Sequence, residues 1–250
     1  MAKILILNGS HRQKNTFSIL ENISQNLSEH DIEIIHVKNY DVKPCIGCEQ
    51  CLRKGLCHIQ DDGDFILQKM IEADGLIIGT PIYLRHIPGY LKNIFDRGCS
   101  WYHRSPIVGK PILFATTTQV TGTKNAVKYL KDLSIQWGLI YAGEVSRTLF
   151  NLEKALEHKD LKTFNFYLNK ENLKKYKPSY KQLFEFDTQK VLAEEILPID
   201  LEFWQEKNYI SSPYFFKCNI NFFKRFISFL YYKLLKNIIS KNKKQTTKNV

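Results

Sequence analysis

Five short apolar segments, separated by stretches of helical periodicity, are the feature that most constrains the fold of this chain. The first, third and fourth are continuous apolar runs, as expected of parallel strands that are covered on both faces. Between the segments, apolar residues recur every three or four positions, as on the buried face of a helix. This alternation predicts an α/β fold with a doubly wound, five-stranded parallel sheet in the order 2-1-3-4-5. The predicted strands are Lys3–Asn8, Ile32–Lys38, Gly75–Thr80, Pro111–Ala115 and Leu139–Ala142.

The pattern changes after residue 145, where charged and aromatic residues mix and the helical periods at 148–158 and 188–196 are weaker. We therefore predict a sheet domain over 1–145, a helical extension over 146–240 and a disordered basic tail over 241–250. Within the extension, Asn219–Ser240 carries a helical stripe of large apolar residues interrupted by Lys and Arg. We expect this helix to pack on the domain or on a second subunit. The alternative, which we do not favour, is a basic amphipathic helix in peripheral contact with anionic lipid.

The formal net charge of +11 is concentrated at one end of the chain. Residues 201–250 hold ten Lys or Arg against two acidic residues, a net of +8, which leaves +3 for the first 200 residues. The main domain therefore lacks the basic surface of a nucleic-acid-binding protein, and we expect no nucleic-acid partner. The apolar run at Ile4–Leu7 is too short for an export signal, so a cytoplasmic location is expected.

The loop after the first predicted strand, Gly9–Thr16, has the chemistry of a phosphate site. Free N–H groups and the positive end of a helix dipole would meet an anion there, together with hydroxyl, amide and guanidinium donors. The simpler interpretation is that Asn15 and Thr16 only cap the helix. Two further polar loops follow the third and fourth strands, at Thr80–Tyr83 and Thr116–Thr118, where the ligand of such a sheet would lie.

With these loops the sequence resembles the NADPH-dependent FMN reductase family of flavodoxin-like fold. The matching segments are Asn8-Gly9-Ser10-His11-Arg12 with Asn15-Thr16, Asp61-Asp62, Thr80-Pro81-Ile82-Tyr83, Leu91-Lys92 and Phe95-Asp96-Arg97. The resemblance implies that Ser10, Arg12, Asn15 and Thr16 bind the phosphate of flavin mononucleotide, FMN. It also implies that the ring and ribityl chain contact Pro81, Ile82, Tyr83, Leu84, Thr116 and Thr117. We expect Asp61 and Asp62 to begin a helix rather than to take part in chemistry.

Four cysteines, Cys45, Cys48, Cys51 and Cys57, lie within one loop after the second strand. Four thiolates that converge on one small object can hold a [4Fe–4S] cluster, and the two successive two-residue spacings let one wrapped loop supply three of them. Zinc and free redox thiols remain alternatives. We expect the isolated Cys99 and Cys218 to be packed apolar residues, and His58 to be an exposed loop residue.

The cysteine motif beside the FMN motifs resembles the iron-sulfur flavoprotein branch of the family. The resemblance implies an FMN-dependent oxidoreductase that passes electrons from NAD(P)H or a reduced carrier to a small-molecule or protein acceptor. We assign no side chain as a catalytic acid or base, and we expect a homo-oligomer. The alternatives are a non-enzymatic electron carrier with the same cofactors, and a flavin reductase whose cysteines bind zinc or act as redox thiols.

Overall fold

The computed structural model describes residues 1–246 and contains a five-stranded sheet. Its order is β2-β1-β3-β4-β5 and every neighbouring pair is parallel, which confirms the predicted flavodoxin-like topology. The register places Asn8 beside Gly79 and Thr80 beside Thr116, so the carboxyl ends of three strands meet at one edge. The strands are β1 (Lys3–Asn8), β2 (Asp31–His36), β3 (Gly75–Pro81), β4 (Pro111–Thr117) and β5 (Ile140–Arg147).

Helices cover both faces of the sheet, because successive strand residues point to opposite sides. On β1, Ile4 and Ile6 pack against the helices of one face, whereas Leu5 and Leu7 belong to the core on the other face. The first face carries α1 (Asn15–Gln25) and α6 (His158–Leu168), and the second carries α3 (Gly63–Glu72), α4 (Gly89–Arg97) and α5 (Thr123–Gln136). The short α2 (Gln50–Lys54) lies in the cysteine-containing loop.

The first residues of the extension differ from the sequence-based prediction. The predicted helix at 148–158 is wrong: these residues form turns and a loop, and α6 begins at His158. Because Leu161 and Phe164 of α6 lie in the core of the sheet, this helix is part of the sheet domain although it follows residue 145. A separate aromatic core, which includes Phe186, Trp204 and Phe215, joins α7 (Tyr180–Glu195) to α8 (Pro198–Glu206).

The last helix is longer than predicted. It is α9 (Phe222–Thr246), which packs along α7 and continues six residues into the segment 241–250 that we expected to be disordered. The remaining four residues of that segment, 247–250, lie outside the described part of the chain. Among the described residues, no helix is both long and apolar enough to cross a membrane.

Candidate functional site

An open cavity of about 650 Å³ lies at the carboxyl edge of the sheet, where β1, β3 and β4 end. Three loops that are distant in sequence line it together. Nine of the ten residues predicted to bind FMN are on its wall: Ser10, Arg12, Asn15, Thr16, Pro81, Ile82, Tyr83, Leu84 and Thr117. The topology thus brings the predicted phosphate residues and the predicted ring residues to one place.

Close contact between β1 and β3 shapes the start of the first loop. The Gly9 N–H donates to the Gly79 carbonyl oxygen at 2.7 Å. A Cβ atom at Gly9 would lie 2.9 Å from that backbone oxygen and 2.7 Å from Leu91 Cδ2, so a side chain has no room there. Beyond this point, hydrogen bonds within the segment fix the loop. Ser10 N donates to Asn8 Oδ1 at 3.1 Å, and Ser10 Oγ donates to the Arg12 carbonyl at 2.8 Å.

The first turn of α1 opens on the cavity. Lys14 occupies the position before the helix, and no side chain in the described chain caps that end. Asn15 and Thr16 are therefore not caps: they lie inside the first turn, on the cavity wall. The first N–H groups of a helix have no partner within it, and the dipole is positive at this end. The turn also lacks acidic residues, so it suits a phosphate.

A hydroxyl pair joins the first loop to the end of β4. Thr16 and Thr117 are both buried, and their Oγ1 atoms are 2.6 Å apart. Thr116, which was also predicted to contact FMN, has a different position. Thr116 does not line the cavity, because adjacent strand residues alternate between the two faces of a sheet. It is fully buried and hydrogen bonds to Ser146 Oγ at 2.8 Å.

A tight hairpin forms the rim of the cavity after β3. Tyr83 and His86 exchange two backbone hydrogen bonds of 2.9 Å, and the two residues between them have positive φ, 47° for Leu84 and 66° for Arg85. Such a turn normally prefers Asn and Gly. Two larger residues in this conformation store local strain, which proteins typically tolerate at binding sites. Leu84 is fully exposed and Tyr83 is 45% exposed, so both present apolar surface at the mouth of the cavity.

Several residues of this site were not identified from the sequence. The cavity is also lined by Lys14, Thr118, Gln119, Val120, Thr121 and Leu149. Tyr90 of α4 supports the first loop from behind: its hydroxyl donates to the Gly9 carbonyl at 2.9 Å and accepts from the His11 N–H at 3.1 Å. Burial raises the pKa of Tyr90. No local pattern marks Tyr90, because the contact spans about 80 positions of sequence.

A second, smaller cavity of about 90 Å³ is lined by thiols. The four motif cysteines surround it, and a fifth thiol, Cys99, joins them from the turn after α4. Cys51 Sγ and Cys99 Sγ are 3.5 Å apart. Within residues 1–246, no three Cys, His, Asp or Glu side chains are placed to hold a single metal ion. What the fold does establish is that all five thiols face one small cavity.

The structure corrects the prediction for Cys99. It is exposed and belongs to the thiol cavity, so it is not a packed apolar residue. Cys218 is partly buried against the aromatic core of the extension, as expected. His58 is exposed, as expected, and its Nδ1 lies 3.4 Å from Cys48 Sγ.

A buried ion pair holds the cysteine loop to α4. Arg97 Nη1 donates to Asp61 Oδ2 at 2.5 Å, and Arg97 Nη2 donates to the Ile59 carbonyl at 2.9 Å. Asp61 also accepts the N–H of Lys43 at 2.9 Å and that of Gly63 at 2.8 Å. Burial alone raises the pKa of Asp61, but the hydrogen bonds from Arg97 and the two N–H groups together lower it below its ordinary value. Asp61 therefore closes the loop as a carboxylate at the start of α3.

Arg97 also faces the thiol cavity. Its side chain is fully buried, and its Nε finds no hydrogen-bond partner among the described residues. Because Arg97 is paired with Asp61, it offers the thiol cavity a buried and unused N–H donor and not an unbalanced charge.

Arg104, which lies between α4 and β4, links the cysteine loop to the extension. Arg104 Nη2 donates to the carbonyl oxygens of Cys51 at 2.6 Å and of Leu52 at 3.2 Å. The same guanidinium pairs with the buried Asp200 of α8. The position of α2, and with it the thiol of Cys51, thus depends on a contact between the two parts of the chain.

Known proteins resemble this chain in sequence. The model of the NADPH-dependent FMN reductase family matches residues 2–157. An iron-sulfur flavoprotein of Archaeoglobus fulgidus is 45% identical over 97 residues, which are 38% of this chain and 48% of that protein. The chain thus spans about half the length of this relative. A second protein of that name from the same organism is 25% identical over 232 residues, 84% of this chain and 100% of its own.

One solved structure shares the fold over most of the chain. RosB with the bound intermediate 8-demethyl-8-formylriboflavin-5'-phosphate has a TM-score of 0.52 and 14% identity. The match covers 85% of this chain and 88% of that one. At this level of identity the similarity concerns the fold alone.

Proposed function

This chain belongs to the NADPH-dependent FMN reductase family, and on that premise we propose that it is an FMN-dependent oxidoreductase carrying a [4Fe–4S] cluster. It takes electrons from NAD(P)H or a reduced carrier and delivers them to a small-molecule or protein acceptor. The observation that carries the proposal is the pair of cavities in one domain. One cavity is lined by residues suited to bind phosphate and has an apolar rim, and the other is lined by five thiols.

The larger cavity fits FMN at its phosphate end. The uncapped turn of α1 offers backbone donors, and Ser10, Arg12, Asn15 and Thr16 line the same wall. A dianionic phosphate there meets helix N–H groups, the positive end of the dipole and a guanidinium. Lys14 adds a second cation to the wall. The Gly9 contact and the Tyr90 hydroxyl hold the loop in place before ligand arrives.

The wall of the cavity after β3 fits a planar ring. Pro81, Ile82 and Tyr83 follow β3, and the strained hairpin presents Leu84 at the mouth. Thr117 of β4 is in register with Pro81 and also lines the cavity, and its hydrogen bond to Thr16 joins this wall to the phosphate loop. The open mouth leaves a route by which a nicotinamide nucleotide could approach the ring.

The residues that line the thiol cavity are suitable ligands for an iron–sulfur cluster. Four thiolates are the ligand set of a [4Fe–4S] cluster, and Cys45, Cys48, Cys51 and Cys57 would hold it. A cluster is larger than one ion, so its ligands stand farther apart than those of zinc, which bind at about 2.3 Å. The unused Nε of Arg97 would donate to sulfur. When bound, FMN accepts an electron pair as hydride and the cluster passes single electrons, so together they convert between the two modes.

The proposal is tested by anaerobic purification and iron, sulfide and flavin assays. We expect about four irons and four sulfides per chain, as a Cys₄ cluster requires, and stoichiometric FMN. Cys48→Ser and Cys51→Ser should each lose iron and sulfide, because a serine oxygen is a poorer ligand for iron than thiolate sulfur. Both variants should keep FMN, since the phosphate site is on another loop. Cys218→Ser is the matched control, because Cys218 lies in the extension core and should leave the iron content unchanged.

Two outcomes would redirect the proposal. Stoichiometric zinc without acid-labile sulfide would leave a flavin reductase with a structural metal. Full cofactor content without steady-state oxidation of NADH or NADPH would instead indicate an electron carrier, because an enzyme of this kind must turn over a nicotinamide donor in the presence of an artificial acceptor.

A further inference from the structure

A row of large apolar side chains lies exposed along α9. We call it the exposed stripe: it contains Phe223, Phe226, Ile227, Leu230, Leu234 and Ile238. Their spacing of three and four residues places them on one side of the helix. Phe223 is 73% exposed and Leu234 is 62% exposed. The sequence predicted that this helix packs on the domain or on a second subunit, and within the described chain the stripe does not pack on the domain.

The opposite side of α9 holds the helix to the protein. Ser228 is buried and hydrogen bonds to Asp187 of α7. Tyr231 stacks on Phe184 with ring centroids 4.6 Å apart, and the Tyr232 hydroxyl donates to Glu194 at 2.7 Å. Because these contacts anchor the helix, the exposed stripe is not needed to keep it in position and is free to contact something else.

The charge of α9 indicates what that partner is. The helix contains seven Lys or Arg and no acidic residue. Lys233 and Lys241 are exposed. Lys233 Nζ lies 5.0 Å from the ring centroid of Phe229, beside the stripe, and Lys241 follows Ile238 by three positions, in line with the stripe. One cation, Lys236, is neutralised by Glu194 at 2.5 Å, on the side that faces α7. Positive charge therefore flanks the stripe without compensation from the helix itself.

We propose that α9 binds the surface of a membrane that contains anionic lipid. The helix lies in the plane of the interface, its exposed stripe enters the boundary between headgroups and acyl chains, and the basic side chains contact lipid phosphates. Long Lys and Arg side chains suit this arrangement, because the stem can lie along apolar surface while the charge stays in water. The proposal does not depend on which cofactors the sheet domain holds.

A second copy of this chain fits the same surface less well. In a two-fold contact through the exposed stripe, α9 would meet its own copy. That would bring basic residues of both helices together, and neither helix has an acidic residue to pair with them. An anionic surface satisfies the apolar and the basic parts of the helix at once.

The test is flotation of the full-length protein with vesicles. One set contains phosphatidylcholine alone and the other contains phosphatidylcholine mixed with phosphatidylglycerol. We expect binding to the anionic vesicles only, and weaker binding as the salt concentration rises. The triple variant Phe226→Gln/Leu230→Gln/Leu234→Gln should lower the partition coefficient by more than about 100-fold, because it removes three of the six apolar side chains of the exposed stripe. Lys233→Gln should lower it by about fivefold, the effect of one basic residue near such a surface.

Matched controls separate the stripe from general surface effects. Phe150 is 82% exposed in a loop away from α9, and Phe150→Gln should not change binding. Lys162, exposed on α6, is the control for Lys233. Circular dichroism should show every variant folded, since the substituted residues face solvent. Absence of binding to anionic vesicles would overturn the proposal. So would a dimer in analytical ultracentrifugation that the triple variant dissociates while vesicle binding stays unchanged.

Discussion

The ion pair between Asp61 and Arg97 allows a prediction of stability that can be worked out from the structure. Both side chains are buried, 2% and 0% exposed, and Asp61 closes the cysteine loop on Arg97 of α4. Asp61→Asn keeps the size of the side chain but leaves the Arg97 charge without its buried counter-ion. Removing one partner of a buried pair costs about 3–5 kcal/mol. Asp64, 3.7 Å from Arg97 Nη2 and largely exposed, compensates in part, so we expect the lower value of about 3 kcal/mol.

This cost should be visible as a lower melting temperature. For a chain of this size about 1 kcal/mol corresponds to about 2–4 °C, so Asp61→Asn should lower Tm by about 6–12 °C at neutral pH. The matched control is Asp96→Asn, which breaks the half-exposed pair with Lys92 on the same helix. An exposed pair contributes about 1 kcal/mol or less, so the control should lose no more than about 4 °C. Thermal unfolding followed by circular dichroism measures both variants.

The pH dependence provides an independent check on the cause. The pKa of Asp61 is lower in the folded protein than its ordinary value of about 3.9. The contribution of the pair to stability is therefore present above about pH 3.9 and is lost as the pH falls through the lowered folded-state pKa. The Tm difference between wild type and Asp61→Asn should shrink over that acidic range. Equal losses for Asp61→Asn and Asp96→Asn, or a difference that does not change with pH, would refute the reasoning.

Three further predictions concern the two cavities. Arg12→Ala should weaken FMN binding by about 1–3 kcal/mol, the value of a hydrogen bond to a charged group, and should leave the Tm of the apoprotein unchanged. Fluorescence titration with FMN measures the affinity. An unchanged affinity would show that Arg12 does not bind the phosphate. Tyr90→Phe removes two hydrogen bonds that position the Gly9 loop and should weaken FMN about tenfold in the same titration, although Tyr90 itself is not on the cavity wall. Cys99→Ala should keep the full iron and sulfide content, because the four motif cysteines complete the ligand set; a loss of iron comparable to that of Cys51→Ser would make Cys99 a ligand.

The order of the sheet could be predicted from sequence because it depends on local pattern and general rules of connection. Parallel strands that are buried on both faces require uninterrupted apolar runs, and crossover helices require a period near 3.6, so β1, β3 and β4 were identifiable. The ends of the strands did not follow from the apolar runs, because β5 continues to Arg147 and β4 to Thr117, beyond their apolar segments. The helix expected at 148–158 failed because a weak apolar period does not ensure that a segment has a surface to pack on.

The phosphate loop and the cysteine motif were likewise identifiable, since each lies within one short segment. The sequence could not show which of two neighbouring residues faces the site. Thr116 and Thr117 have the same chemistry, and only the twist and register of β4 decide that Thr117 faces the cavity while Thr116 faces Ser146. Cys99 and Tyr90 reach their sites from other elements, so their roles arise only when the chain is folded.

The same distinction applies to α9. The sequence determined that it is a helix with an apolar stripe and basic charge, because both properties follow from local composition and a period of 3.6 residues. Hydrophobicity alone predicts that the most apolar side packs inward. The tertiary structure decided otherwise, since α7 offers Asp187 and Glu194, and these carboxylates pair with Ser228, Tyr232 and Lys236. Specific hydrogen bonds across the α7–α9 contact thus fix which side of the helix is buried, and they leave its most apolar side exposed.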